Sequence, residues 1–183
     1  MLNRLLILFV TLASIILYAH LKKKELESSL GDLKEVLLAK MPEAEVLSYP
    51  EQNKLFLSQI IKSKSNSTHV FHFWGTWCPP CINEFPELLR FTQKMQEQPV
   101  QFYLVAVNDQ KELIEKFLKP FIKMMGNNIT ILIDNNGTYN NAFGAAKVPE
   151  TFIFDKNGQV LRRLQGAQDW QQAFFVKLFD SYK

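Results

Sequence analysis

From residue 67 onward, apolar positions alternate between short continuous runs and helical stripes. HVFHFW (His69–Trp74) is brief, aromatic and rich in strand-forming residues, which predicts a buried strand. Helical spacing follows from Cys78 to about Gln96, then a second strand, VQFYLVAV (Val100–Val107), and a second helix, Gln110–Met125. ITILI (Ile129–Ile133) predicts a third strand, closed by the turn DNNG. TFIFD and QVLRRL flank KNG, a hairpin signal, and Asp169–Tyr182 reads as a final amphipathic helix. Strand–helix–strand, a further helix and strand, then a hairpin and a closing helix predict an α/β fold. Its mixed central sheet is flanked by helices on both faces.

Upstream the pattern is sparser. Leu26, Leu30, Leu33 and Leu37 form one helical stripe from about Lys23 to Lys40, ended by Pro42. We read it as a short amphipathic stem helix packing on its own domain, since four positions are too few for a dimerising coiled coil. EVLSY is expected as a short strand, KLFLSQIIK as a short helix and KSKSNST as a loop. Leu5–Leu21 is a run of 17 residues without a formal charge, the length of a short membrane span. Leu17 is too large for the small-residue pattern of a cleavage site after Ala19, so an uncleaved anchor is expected. The division that follows is an N-terminal anchor (1–24), a stem and linker (25–66) and a globular domain (67–183).

Composition allows a real core: 47% of residues are hydrophobic and 13% aromatic, which excludes a disordered chain. The formal net charge is +3, but four of the 21 basic residues lie in the first 24 positions, leaving 17 against 18 acidic ones. A near-neutral domain has no nucleic-acid footprint.

Two cysteines, Cys78 and Cys81, are separated only by Pro79 and Pro80. With His69 and His72 a Cys2His2 metal site can be drawn, but two histidines at odd spacing on one strand point to opposite faces. A purely structural disulfide would close a tiny loop and gain little stability from chain entropy. Redox chemistry uses everything present. Cys78 stands at the amino end of a helix, where free N–H groups and the helix dipole favour a thiolate, and Pro79 falls where helices accept proline. Lowering a thiol pKa from ~8.5 to ~7 raises the thiolate fraction at neutral pH to about half. Cys78 is then the attacking thiol and Cys81, one turn on, the resolving one.

FWGTWCPPC, followed by Pro86, resembles the active-site motif of the thioredoxin superfamily. VPETFIFDKNGQV (Val148–Val160) resembles that fold's second hallmark, a cis-proline loop facing the disulfide. With CINEFPEL, and with roughly 70 residues between the two stretches, the resemblance is to the TlpA/ResA/DsbE group. Members of that group are membrane-anchored, periplasm-facing thiol-disulfide reductases with a central insertion, and several serve cytochrome c maturation. The resemblance covers Val70 to Gly166. It implies a thioredoxin-like fold with that insertion, a cis Pro149, and a Val148 backbone placed to pair with an extended substrate.

By the same resemblance Glu84 matches the acid of the CxxCxxE pattern and takes the Cys81 proton, unless it is a solvated surface glutamate. Trp74 and Trp77 match an aromatic wall around the site, although either fits as packing. Glu150, beside Pro149, extends an acidic rim or is a plain surface charge. His72 stands where thioredoxin carries a buried aspartate. A desolvated histidine there is neutral and either relays a proton for Cys81 or is hydrogen-bonded core packing. MPEAEVLSYPEQNKLF departs from the group's GKxxPxF-like opening.

The expected activity is protein thiol-disulfide exchange without a cofactor beyond the Cys78–Cys81 disulfide. Its direction is reducing, with apocytochrome c among the clients and a transmembrane thiol reductase as electron donor. A disulfide oxidase or isomerase on the same fold is the alternative, and a non-catalytic peptide- or copper-binding adaptor the third. Three lysines after the apolar run weakly favour a cytoplasmic domain. The resemblance implies the opposite, a single-pass protein of the bacterial inner membrane facing the periplasm, and this is the expectation adopted.

Overall fold

The computed structural model describes residues 13–24, 45–64, 66–145 and 147–182. The chain divides into two units, Met1–Ala39 and Lys40–Lys183. In the first, residues 13–24 form helix α1, with Ile15, Ile16, Leu17, Tyr18 and Leu21 all exposed. Among the described residues no helix is long and apolar enough to cross a membrane. The first part of the Leu5–Leu21 run and nearly all of the expected stem helix lie outside the described residues.

The second unit is built on a seven-stranded mixed sheet in the order β2-β1-β5-β4-β3-β6-β7. Strands β3 (Thr68–Trp74), β4 (Val100–Val107) and β5 (Ile129–Asp134) run parallel, joined by α3 (Pro79–Lys94) and by α4 (Lys111–Leu118) with its continuation. The hairpin of β6 (Glu150–Phe154) and β7 (Val160–Gln165) adds antiparallel to β3. β1 (Glu45–Ser48) and β2 (Lys54–Phe56) form a second hairpin, antiparallel to β5.

β3 is buried at all seven positions, and its alternation feeds two cores. Val70, His72 and Trp74 face α3, α4 and α6 (Ala173–Asp180), where Phe85, Leu88, Phe102, Trp170 and Phe179 fill the space. His69, Phe71 and Phe73 face the other way. There Phe71 packs tilted and Phe73 edge-on against Phe143, just past α5 (Thr138–Ala142), and α2 (Leu57–Ser63) buries Ile60. Helices on both faces of a mixed sheet are what the sequence predicts.

Three elements differ from expectation. Residues 45–63, assigned to the linker, supply two strands of the sheet and α2, and KLF pairs with β1 rather than opening a helix. Their few apolar residues are satisfied by a distant strand, β5, which local pattern does not reveal. The helix expected over Gln110–Met125 stops at Leu118 and continues as 3₁₀ over Lys119–Met124, because Pro120 has no N–H for the α ladder. Helix α5 was not anticipated within the DNNG turn and the polar residues after it. Gly137 precedes the helix with φ +68°, a conformation costly for a side-chain-bearing residue.

Phe91 of α3 sits among the rings of Phe102, Trp170, Phe175 and Phe179, with centroids 5.5–6.1 Å away. Truncating it leaves a cavity that surrounding elements cannot close. Phe91→Ala is expected to cost about 3–5 kcal/mol in urea denaturation, while exposed Leu113→Ala costs no more than about 0.5 kcal/mol. Equal losses would refute this placement of the core.

Candidate active site

β3 delivers the chain to the cysteines through Gly75, Thr76 and Trp77. Gly75 is required by a close approach: a Cβ there would lie 2.7 Å from Trp77 Nε1. The loop is fastened to the end of β4. Trp77 Nε1 donates to the Val107 carbonyl at 3.0 Å, and Asp109 accepts from the Thr76 amide at 2.6 Å and its hydroxyl at 2.9 Å. Asp109 also accepts from the Gln110 amide at 2.9 Å. This clamp holds the approach to the cysteines, and sequence reasoning missed it, because a lone aspartate carries no signal of a partner 33 residues earlier.

Cys78 and Cys81 form a disulfide with Cα atoms 5.3 Å apart. Cys78 caps α3, with Pro79 and Pro80 as the first two helical residues. Neither proline has an N–H, so the first amide the helix offers is that of Cys81, which donates to Cys78 Sγ at 3.3 Å. A Cys78 thiolate is therefore met by the helix dipole and one amide, fewer than an uninterrupted helix start presents. Both cysteines are buried, whereas Trp77 is 55% exposed beside them. Trp74 is different: it is fully buried and packs on Phe85 and Phe117, so its role is in the core.

The Val148–Pro149 peptide is cis, as the resemblance implied. Pro80, Val148, Pro149, Gly166 and Ala167 line an open groove of about 460 Å³ next to the cysteine helix. Glu150 also lines it but forms no acidic rim. Its side chain lies on the opposite sheet face from Thr151, is 2% exposed, and is tied to Arg163, which also donates to the Gly144 carbonyl. A residue beside a proline at a strand start reads as surface from sequence. The β6–β7 pairing buries it.

Glu84, one turn past Cys81, is buried rather than solvated. Its Oε2 accepts from the Gln168 amide at 2.8 Å and from Trp170 Nε1 at 2.9 Å. Burial raises its carboxyl from 4.5 to about 7, against the downward pull of those two donors. His72 lies across from it, with Nε2 3.7 Å from Glu84 Oε1 and Nδ1 2.9 Å from Thr151 Oγ1. Complete burial pushes the His72 ring down to about 3, so it is neutral at any physiological pH. His69 points to the opposite face, toward the Tyr103 hydroxyl at 3.2 Å, and burial lowers it to about 4. The two histidines are thus divided by the sheet, and among the described residues no cluster of three metal-ligating side chains occurs.

The structure brings Cys78, Cys81, Pro79, Pro80, Val148, Pro149 and Trp77 to one end of the sheet, with Glu84 and His72 behind them. Gln168 and Trp170, the donors that fix Glu84, were missed. They lie more than 80 positions away in a segment that carries no motif.

Two outcomes follow from this geometry. Pro80→Ala restores a second amide at the head of α3. It should lower the Cys78 thiol pKa by roughly half a unit or more, read from thiolate absorbance in a pH titration; an unchanged value would show that the helix amides do not govern this thiol. Glu84 contributes stability that is complete below its unfolded value of 4.5 and is lost as pH rises through about 7, since the native state holds the proton longer. Glu84→Gln removes that loss. Its unfolding free energy relative to the parent should climb by up to about 3 kcal/mol between those limits, and the two histidines, common to both proteins, cancel. A pH-independent difference would contradict the burial of an ionisable group here.

Comparison with known proteins agrees with this geometry. Residues 39–174 match the Redoxin family model. Thiol:disulfide interchange protein DsbE of Vibrio cholerae is 30% identical over 176 residues, which is 91% of this chain and 90% of that protein. Thiol-disulfide oxidoreductase ResA of Geobacillus thermodenitrificans is 38% identical over 95 residues, 52% of each chain. This chain thus spans about half the length of the ResA relatives it matches. A crystal structure of a thiol:disulfide interchange protein DsbE from Chlorobium tepidum superposes with TM-score 0.63 at 22% identity, covering 78% of this chain and 94% of the other. That likeness establishes the thioredoxin-like fold. With a family model matched over most of its length, its disulfide at the head of α3 and its relatives among the ResA and DsbE proteins, this chain belongs to the Redoxin family.

Proposed function

We propose that the protein is a membrane-tethered thiol-disulfide oxidoreductase of the ResA/DsbE type that reduces protein disulfides. The observation that carries the reading is the Cys78–Cys81 disulfide at a helix amino terminus, beside the groove lined by Val148 and Pro149. An extended client segment fits that groove, pairing with the Val148 backbone and presenting its sulfur to Cys78.

In the reduced enzyme the Cys78 thiolate attacks one sulfur of the client disulfide. A Cys78–client bond forms and the other client sulfur leaves as a thiolate. Cys81 then gives up its proton and attacks Cys78 Sγ, which forms the Cys78–Cys81 disulfide and frees the second client thiolate. Two electrons reach the client. Two more must come from a thiol donor, which across a membrane is a transmembrane reductase. No cofactor beyond the cysteine pair takes part.

The reducing direction is supported by the Pro79–Pro80 pair. With two helix amides removed, the Cys78 thiolate is less stabilised, and a less stabilised reduced form is a better electron donor. That argues against the oxidase alternative. Apocytochrome c is the client in this reading, because its haem-attachment CxxCH segment carries two cysteines whose disulfide must be opened before haem attachment. The uncharged run Leu5–Leu21 tethers the domain to the bacterial inner membrane, and the domain faces the periplasm.

The test is the reduction potential of the Cys78–Cys81 couple in the full chain, equilibrated against glutathione and dithiothreitol. A value near or below about −270 mV is expected, and one near about −120 mV overturns the reducing role. With Cys81→Ser, an oxidised CxxCH peptide should accumulate as a stable mixed disulfide on Cys78; free turnover of the peptide by that variant would remove Cys81 from the mechanism.

A further inference from the structure

One helical turn past the disulfide, two buried polar atoms face each other without a hydrogen-bond partner: His72 Nε2 and Glu84 Oε1, 3.7 Å apart. The separation is shorter than the roughly 4.5 Å across which a water would bridge two such atoms. At 3.7 Å the pair stands about half an ångström beyond hydrogen-bond reach. Buried polar atoms seldom go unpaired, and a small closing of that gap pairs each with the other. The remaining polar atoms of both groups are already committed. Glu84 Oε2 holds two donors, Gln168 and Trp170, and His72 Nδ1 meets the Thr151 hydroxyl. A hydroxyl both donates and accepts, so Thr151 serves either form of the ring.

We propose that His72 is a positioning residue for Glu84 that works by changing tautomer. When the carboxyl is protonated on Oε1, the ring carries its proton on Nδ1, donating to Thr151 and offering the Nε2 lone pair to the carboxyl O–H. When the carboxyl is ionised, the ring carries its proton on Nε2 and donates to Oε1, while Thr151 donates to Nδ1. In passing from the ionised to the protonated carboxyl, the Nε2 proton goes to Oε1 and Nδ1 takes a proton by way of the Thr151 hydroxyl. The ring thus holds one proton in either state and stays neutral. Only the carboxyl gains or loses charge.

The inference rests on the reading of the site as a thiol-disulfide exchange centre. When Cys81 attacks the mixed disulfide its S–H bond breaks and one proton enters the Glu84–His72–Thr151 chain. In net the carboxyl gains an O–H bond, while the ring and the hydroxyl each keep one proton. A fixed tautomer would leave one of the two carboxyl states facing either a second lone pair or a second hydrogen in a dry site. The switch makes both states hydrogen-bonded.

The supporting conditions are present. The ring is too well buried to become imidazolium, and the carboxyl is poised near neutrality. Several other titratable groups on the surrounding elements are engaged elsewhere, and none of Lys94 at the far end of α3 or Lys177 and Asp180 on α6 is a partner of Glu84 or His72. Glu150 of β6 holds Arg163, His69 of β3 meets Tyr103 on the far face, and Glu87 of α3 holds Arg90. Asp169 accepts from Gln171 and Gln172. Arg162 of β7 lies over the Phe174 ring. The cysteine pair is left as the exchange partner.

The experiment is nitrogen-15 NMR of the His72 ring in the oxidised full chain in detergent, from pH 5 to 9. The protonated nitrogen should change from Nδ1 to Nε2 with a midpoint near 7, the value to which Glu84 is raised, and the change should vanish in Glu84→Gln. A single tautomer across the range, or a ring that takes a second proton, overturns the proposal. In turnover, His72→Phe deprives the carboxylate of a donor, so the pH profile of the resolving step should move up by about one unit, a tenfold slowing below the midpoint. His72→Gln, whose amide offers either an N–H or a carbonyl at the same reach, should restore most of it. A His72→Phe profile identical to the parent's also overturns the proposal. The exchange reading fails separately, through a cysteine pair that does not react with thiols, because the tautomer is read in the oxidised protein without turnover.

Discussion

Strand β3 is buried on both faces over its whole length, and the site depends on that constraint. A strand with no solvent face must be central, so it takes β4 on one side and β6 on the other. Register then assembles the chemistry. His72 lies opposite Thr151 and Phe73 opposite Glu150, so Pro149 falls at the strand end where the chain turns toward Cys78. Pro149 has no N–H to extend the ladder, and the edge it leaves is where the groove opens. Two segments about 70 residues apart in sequence are thus brought together by one antiparallel pairing.

The same burial sets the charges. Cys78 sits at the amino terminus of α3, where the helix field is strongest, while Glu84 Oε1 and His72 Nε2 are sealed from solvent. A thiolate at Cys81 and a carboxylate one turn away disfavour each other, so a carboxyl that titrates near neutrality can be neutral when its neighbour is charged. Helix α6 contributes through the segment before it, since Gln168 and Trp170 hold one carboxyl oxygen and leave the other to face His72. The Trp170 ring also packs on Phe91 and Phe175, so the donor's orientation is set by the core.

The chemistry nearest the cysteines was legible because it is local. A strand, a helix cap and two prolines lie within a dozen residues, and each type has one physical use there. β3, β4, β5 and the β6–β7 hairpin were legible because their apolar runs are unbroken. Long-range features were not. The Asp109 clamp on Thr76, the Arg163 partner of Glu150 and the docking of β1 on β5 each join short polar or weakly apolar stretches far apart in sequence. Glu84 shows both halves. Its spacing from Cys81 marked it, but its burial depends on Trp170, which lies in a segment of no local pattern.

The identity of residue 72 follows from what already occupies the dry space. A second carboxyl there would stand within contact of Glu84, and two acids so close share one proton, which drives their titrations apart by several units. One would ionise too early and the other too late to exchange with a thiol near neutrality. An aliphatic residue would leave Glu84 Oε1 with no partner in either state. The imidazole avoids both outcomes. It adds no charge because burial holds it neutral, and it has a donor and an acceptor on one rigid ring, so it meets Glu84 on one side and Thr151 on the other. Position 72 is therefore constrained by Glu84 more than by the cysteines. Its effect on exchange passes through the protonation of that carboxyl.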